Sequence, residues 1–445
     1  MYDPLTTSKL ANKQPLADSY WASTVPSAQL RTKPLATDIS TDVLIIGAGY
    51  TGMSCALHLA EQHHIEATVI DANSVAWGCS SRNAGFVLHS SGRKSFSQMQ
   101  QQWGEDTMRA VHAEMLEGVE RLNQLIARGI DCEQQSPGYL KLAHRPRYFE
   151  QLKAQAELQK KMFNVDVDIL SRDQLHQQYA ADQNAYGAIR FAKGYGLNPI
   201  KLALGYKDLL SQVNVSIYSD TPALSIEKQN HGHIVHTPQG NIRAKKIVLA
   251  SNGYTPKGLH PVLNNKTLPV LSQVIVTRPL TDQELSLCQL QTNQVIMDTR
   301  ALKYYYRKLP DKRILFGGRG AITGKSAEDP YYAERLLAVL KSSYPSLKHV
   351  SVDYAWAGWI SVALDEIPHV YQNAENNVFY ATGYCGSGVS FTCQAGKRLA
   401  DKVAGSAVPN IPLYQTPLPH FPLPAFRRVG QWAYFQYGRF KDAYF

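Results

Sequence analysis

The chain has 445 residues, enough for two domains, and its 44% hydrophobic and 18% charged content excludes a disordered or fibrous protein. Its formal charge of +10 comes from scattered Lys and Arg, without a basic block or a helix-turn-helix, RRM or zinc-finger pattern, so no nucleic-acid partner is expected. The six cysteines form no C-x-x-C pair, which argues against a metal site or disulfide framework. No apolar run is long enough to span a membrane or resembles a secretory signal, so reduced thiols and a cytoplasmic location are the default expectations.

The first informative element is VLIIGAGYTGMSCALHL, Val43 to Leu59. Four apolar residues run into Gly47, Gly49 and Gly52 in G-x-G-x-x-G spacing and then into a helix. Gly47 permits the tight turn, Gly49 leaves room for a pyrophosphate, and Gly52 lets the helix lie close to the strand. The helix N-terminus offers free N–H groups to the anion. ATVID then reads as a second strand ending at Asp71, placed to accept hydrogen bonds from a ribose. This pattern implies a dinucleotide and leaves NAD and FAD both open.

Met108, Val111, Met115, Val119, Leu122 and Leu125 recur at helical spacing up to Gly129. GYLKLAH (Gly138 to His144) alternates as a strand, Arg147 to Lys161 reads as a helix, a strand follows in YGAIRFAKGYGLNP, and Pro199 to Leu210 reads as a helix. NVSIYSDTPALSIEK holds two strands broken at Pro222, and KKIVLASNGYT is a buried strand ending in a turn. Strand patterns dominate Val270 to Gly320. Strand, glycine turn and helix follow in NVFYATGYCGSGVSFTCQAGKRLADKVAG, and the proline-rich stretch Pro409 to Pro424 is extended.

Three stretches outside the first motif favour the longer dinucleotide: SVAWGCSSRNAGFV after Asp71, KIVLASNGY, and FYATGYCGSGVSF near the C-terminus. An NAD domain has no use for such distant segments, whereas FAD carries its flavin well beyond the adenine.

On SYWAS, GAGYTG, the Trp77–Gly85 stretch, YYYRKLPDKRILFGG, DYAWAGWI and GYCGSGV, the chain resembles the D-amino-acid oxidase family of FAD-dependent oxidoreductases, most closely its γ-glutamylputrescine oxidase branch. The resemblance implies an α/β two-domain fold, a noncontiguous Rossmann-like FAD domain of glutathione-reductase type with a mixed-sheet substrate domain. The expected segments are 1–131, 198–256 and 351–412 for FAD, 132–197 and 257–350 for substrate, and an aromatic, basic tail at 413–445.

It further implies FAD contacts from Gly47, Gly49, Tyr50, Thr51 and Gly52, from Asp71 and Ala72 at the adenosine, and from Ala223 at the adenine. Trp77, Gly78, Ser80, Ser81, Arg82, Asn83, Ala84 and Gly85 would lie by the ribityl chain and ring, with Ser251, Asn252 and Gly253 on the late strand. Gly383, Gly386, Ser387, Gly388 and Val389 would meet the edge of the flavin. Tyr304, Tyr305, Trp356, Trp359 and Tyr384 fall on segments that line the family's substrate pocket. Arg300 and Arg319 either hold a substrate carboxylate or sit at the surface. Arg82, Tyr384 and Arg319 are the candidates at the reacting centre.

The implied activity is oxidation of an amine (γ-glutamylated amine, polyamine or amino acid) by hydride transfer to flavin N5. The imine hydrolyses, and O2 is reduced to H2O2. A dehydrogenase passing electrons to a quinone or protein, or a peptide-modifying flavoprotein, is the alternative. Some members carry a lysine over the flavin for oxygen reduction; the matching position here is Leu315. The flavin is expected to be noncovalent, because Asp353 to Val370 lacks the tethering cysteine, with Cys79 and Cys385 as the exceptions to check. For AFRRVGQWAYFQYGRFKDAYF, packing of the aromatics on the protein with exposed cations is favoured over contact with an anionic membrane.

Overall fold

The computed structural model describes every residue except Ser91, Ala374, Asn376 and Phe445. Two eight-stranded sheets organise the chain. The first orders its central strands His369–Asn373, Val378–Thr382, Gly240–Leu249, Ile39–Ile46, Ala67–Ile70 and Ser216–Tyr218, and a hairpin of Ser225–Gln229 and Gly232–Thr237 extends from Gly240–Leu249. All neighbouring pairs in the central row are parallel except the first. A parallel sheet must be covered on both faces, and Val43–Ile46, Val69, Val248 and Phe379 are accordingly buried.

The second sheet runs Val352–Val362, Leu268–Thr277, Ile314–Arg319, Tyr305–Lys308, Val295–Asp298, Tyr139–Leu142, Gly187–Phe191 and Val167–Ser171. It is antiparallel apart from the pairing of Val295–Asp298 with Tyr139–Leu142. The α/β two-domain class expected from the sequence is what is found. The strand at Val352–Val362 pairs from Leu268 to Thr277 with the second sheet. We therefore keep the segment division as a proposal with its last crossover moved from residue 351 to after Val362.

The helix of the glycine motif spans Tyr50–His63 and is buried from Tyr50 to Leu59, lying between the first sheet and the helix Gly388–Ala404. Close approach there depends on Gly396, where a Cβ would come 2.5 Å from Ser54. The helices Glu105–Ile126, Pro146–Phe163 and Pro199–Gln212 match the sequence pattern. Pro330–Ser343 is a helix beyond the strand-rich stretch, in a part of the chain for which no element was expected.

The tail forms a helix, Arg427–Tyr444, seated through Gln431, Phe435 and Gly438. Phe435 packs and Arg439 is exposed as expected, but much of the helix has the opposite polarity. Arg427 and Arg428 turn inward, bonding the carbonyls of Thr267 (2.6 Å) and Pro269 (2.7 Å), and Arg428 pairs with Asp3 at 2.7 Å. Trp432, Phe440 and Tyr444 are 54%, 55% and 75% exposed. One face of one helix can seat few rings, and the guanidinium groups find acceptors that satisfy them in the seam.

Candidate cofactor and substrate site

The G-x-G-x-x-G turn is built for close backbone approach. Gly47 has φ +118° and a Cβ on it would lie 2.8 Å from the Ala250 carbonyl; a Cβ on Gly52 would strike the Gly47 oxygen at 2.0 Å. A Cβ on Gly49 would crowd Ser80 Oγ at 3.0 Å. Gly49 caps the helix without a side chain, and Ser80 Oγ accepts the Tyr50 N–H at 3.1 Å.

Beside this turn lies a partly open cavity. Asp71, Ala72 and Ala223 line one end, Gly47, Gly49, Thr51, Trp77, Gly78, Ser80 and Asn83 the middle, and Tyr384, Gly386, Gly388, Val389 and Ile360 the other. Tyr50, Ser251 and Asn252 also line it. Burial pushes the Asp71 carboxyl up to about 6, against N–H bonds from Asn73 (3.0 Å) and Ala48 (2.8 Å), so it is ionised at neutral pH. At the far end Tyr384 OH and Thr51 Oγ1 are 2.8 Å apart, and Gly383 and Gly386 take φ +83° and +99°. The N-terminus of the helix Gly388–Ala404 has no side-chain cap, so its N–H groups face the cavity lined by Gly388 and Val389.

Several predicted contacts stand behind this wall. Arg82 is buried and donates to the carbonyls of Trp77 (3.1 Å) and Ala357 (3.3 Å), with its guanidinium 4.8 Å from the Trp77 ring. It ties the cofactor loop to the second sheet and is a positioning residue. Ser81 bonds the Trp77 carbonyl, Ala84 packs on the core, and Ser387 bonds Ser90. Gly253 and Gly383 let their turns pack on Ile360 and Ala363. Gly85, at φ +72°, makes room for the buried Arg307, whose terminal nitrogen would lie 2.8 Å from a Cβ there.

Strand register decides the substrate side. Gly358, Ser272 and Arg319 form one cross-strand row, and Trp356, Val274, Gly317 and Tyr305 the next. Both rows share the face turned to the cofactor loop: Trp356 Nε1 donates to the Arg82 carbonyl at 2.9 Å, and a Cβ on Gly358 would lie 3.0 Å from Arg82 Cβ. Tyr305 lies over Gly317, bonds Ser272 Oγ at 2.6 Å and meets Phe86 edge to face at 5.7 Å. Burial lowers the Arg319 guanidinium, followed by the charge of Arg93, and its side chain makes no hydrogen bond or ion pair among the described residues.

Three predicted pocket residues face the other way. Tyr304 lies 5.6 Å from Phe316 on the opposite face, Arg300 pairs with Asp298, and Trp359 is buried with Nε1 on the Tyr2 carbonyl at 2.8 Å. Alternation along the strand puts Tyr304 and Trp359 away from Tyr305 and Trp356. Leu315 is fully buried in the core on the cofactor-facing side. Residues not nominated from sequence also line the cavity: Ser8, Lys9 and Leu10, Thr221, Tyr254, Ser361 and Thr392. Only the contact of the N-terminal segment lacked a sequence signal, since the others flank motifs already singled out.

Residues 42–402 match the DAO family, FAD dependent oxidoreductases. This chain belongs to the DAO family. It is 32% identical to γ-glutamylputrescine oxidoreductase of Escherichia coli (strain K12), over 89% of this chain and 90% of that protein. Among solved structures it is similar to L-proline dehydrogenase from P. horikoshii (TM-score 0.69, 18% identity, 84% of this chain and 96% of that one). It is also similar to glycine oxidase from Geobacillus kaustophilus (TM-score 0.67, 19% identity, 83% and 96%). As a DAO enzyme it is an FAD-dependent oxidoreductase, and the cavity fits that cofactor. The glycine cradle and Ser80 suit the pyrophosphate, Asp71 the ribose, and the helix start at Gly388 the electron-rich edge of the flavin.

Proposed function

We propose that this enzyme oxidises the amino end of a γ-glutamylated amine or related polyamine, R–CH2–NH2 + O2 + H2O giving R–CHO + NH3 + H2O2. The observation that carries the reading is the pair of adjacent cross-strand rows that set Ser272, Tyr305 and Arg319 on one face of the second sheet. FAD, when bound, takes up the hydride equivalent from the substrate's α-carbon. The Tyr305 and Tyr384 hydroxyls, whose ionisation burial disfavours, offer neutral hydrogen-bonding groups to the amine. Trp356, Phe86 and Tyr305 exclude water, and Arg82 fixes the sheet against the cofactor loop. The relative's name supports the choice of substrate.

Peroxide release over a panel of polyamines, γ-glutamylated amines and amino acids tests the reading, and bleaching of the flavin by none of them would overturn it. A second reading, a dehydrogenase with a quinone or protein acceptor, is favoured by buried Leu315, which offers no charge for oxygen reduction. Reduced enzyme that is inert to O2 and reoxidised by a quinone would select it. We also propose noncovalent FAD. Burial pushes the thiols of Cys79 and Cys385 up to about 11 and about 12, so neither supplies a thiolate. All flavin should stay in the supernatant after acid precipitation. A cytoplasmic location is part of the proposal; no helix among the described residues is long and apolar enough to cross a membrane.

A further inference from the structure

We propose that Arg93, Lys303 and Arg319 form a subsite for the carboxylate of an amino-acid group at the end of the substrate remote from the reacting amine, and that the C-terminal helix holds this subsite in place. The proposal rests on the amine-oxidising reading above. Arg93 follows Gly92, where a Cβ would lie 3.3 Å from Cys385 Cβ and 3.5 Å from the Tyr384 oxygen, so its segment packs on the turn at the flavin end of the cavity. Arg93 Nε donates to Glu366 Oε1 at 2.8 Å, and its guanidinium bonds Tyr434 OH and lies 5.2 Å from that ring.

Lys303 stands in a loop clamped by the same helix. Asp442 accepts the N–H groups of Ala301 (2.7 Å) and Leu302 (3.0 Å), and Leu302 sits so close to Gly438 that a Cβ there would come within 2.8 Å of it. The Lys303 side chain is accessible and makes no hydrogen bond or ion pair among the described residues. Its ammonium is nevertheless held below the usual lysine range, by burial first and then by the charges of Arg93 and Arg319, with Asp298 and Glu366 opposing. Tyr304 packs over Gly318 and Tyr305 pairs with Gly317, so extending this antiparallel register sets Lys303 opposite Arg319. Arg319 stands on that sheet face opposite Ser272, and its side chain has no hydrogen-bond or ion-pair partner among the described residues.

Asp298 is already paired with Arg300 and Glu366 with Arg93, so the two nearby carboxylates do not neutralise the three cations. Such a cluster is relieved by a bound anion. A carboxylate on Lys303 and Arg319, with an α-ammonium toward Glu366, matches the head of a γ-glutamyl group and leaves the amine chain to run toward Tyr384.

The test compares γ-glutamylputrescine with putrescine in wild type, Lys303→Met, Lys303→Arg and Tyr434→Phe. The wild-type preference for the conjugated substrate, read as the ratio of the two KM values, should fall about ten-fold in Lys303→Met and recover in Lys303→Arg. Tyr434→Phe should lower it by about three-fold through KM, not kcat. Calorimetric binding of γ-glutamyl-n-butylamide, which has no terminal amine, requires no turnover. Wild-type binding that weakens about ten-fold in Lys303→Met supports the subsite even if no amine is oxidised, in which case only the amine reading fails. A preference unchanged within about two-fold, or equal binding of the butylamide to both proteins, overturns the proposal.

Discussion

The cofactor cavity and the substrate face are built from different materials. The cavity is shaped by backbone: glycines with positive φ, two helix N-termini and a hydroxyl at Ser80. The substrate face is shaped by side chains in register on four strands, where Gly317 and Gly358 are spaces that other residues fill. A backbone site tolerates few changes and is shared across a family; a side-chain site is retuned by single substitutions.

The sharpest way to break this comparison is at Gly49. Gly49→Val should lose FAD essentially completely while the protein stays folded, checked by absorbance near 450 nm (about, as a flavin band) and circular dichroism. Full flavin content would show that the turn is not the cradle. Next in size is the buried network that ties two cofactor-side helices together: Glu114 accepts from Arg398 (2.6 Å), Gln394 (2.7 Å) and Tyr414 (2.6 Å). Glu114→Ala should cost about 3 kcal/mol, because it leaves Arg398 only its longer pair with Asp401 and strands the Gln394 amide and the Tyr414 hydroxyl. Burial raises the Glu114 carboxyl, but those bonds outweigh it and leave it below its usual range. Its stabilisation is therefore present above the unfolded carboxyl range and lost as pH falls through the folded value, so wild type should lose its advantage over Glu114→Gln in acid melts.

On the substrate face Arg319→Ala should cost about 1.5–3 kcal/mol in kcat/KM, or about 10–100-fold, with folding intact. Stopped-flow separation of the two half-reactions shows whether the loss lies in substrate oxidation or in reoxidation. An effect read in pH and not in activity is expected at Lys141, on Tyr139–Leu142, which burial lowers to about 7, with Lys303 adding to the shift. Between about pH 7 and the usual lysine value the unfolded chain binds the extra proton, so stability contributed at this site rises with pH. Lys141→Met should flatten that rise in urea titrations and stabilise the protein most below pH 7 (about, from the same linkage).

The same contrast explains what could be read from sequence. The demands of G-x-G-x-x-G are local, so Gly47, Gly49 and Gly52 were legible, and Asp71 followed from the end of the next strand. Strand alternation was equally visible at Tyr304, Tyr305 and Trp356, but which side faced the cofactor was not, because it depends on pairing with Leu268–Thr277. Tyr304 and Trp359 were misplaced for that reason, whereas Arg300 lies past the end of a strand and folds back onto Asp298. Arg93 and Lys303 gave no signal, since they are loop cations brought near one another by a helix more than a hundred residues further on. The helix Pro330–Ser343 was missed although its signals are local: Asp329 as its cap, Pro330 at its first turn, and Leu336 and Leu340 on its buried face.

The interleaving of the two sheets also sets an order of events for a chain leaving the ribosome. Ile46 must find Leu249, and Ile247 must then find Val378, before the parallel core is complete. Contacts so distant in sequence slow folding. Until the strand Val378–Thr382 and the helix behind it have emerged, the glycine turn at Gly47 has its own strand and helix but no flavin-edge partner. A nascent chain can thus present a half-built cradle with an exposed strand edge for most of its synthesis, which makes this a protein whose recovery should depend on slow translation or chaperone cover, with cofactor capture among its last steps.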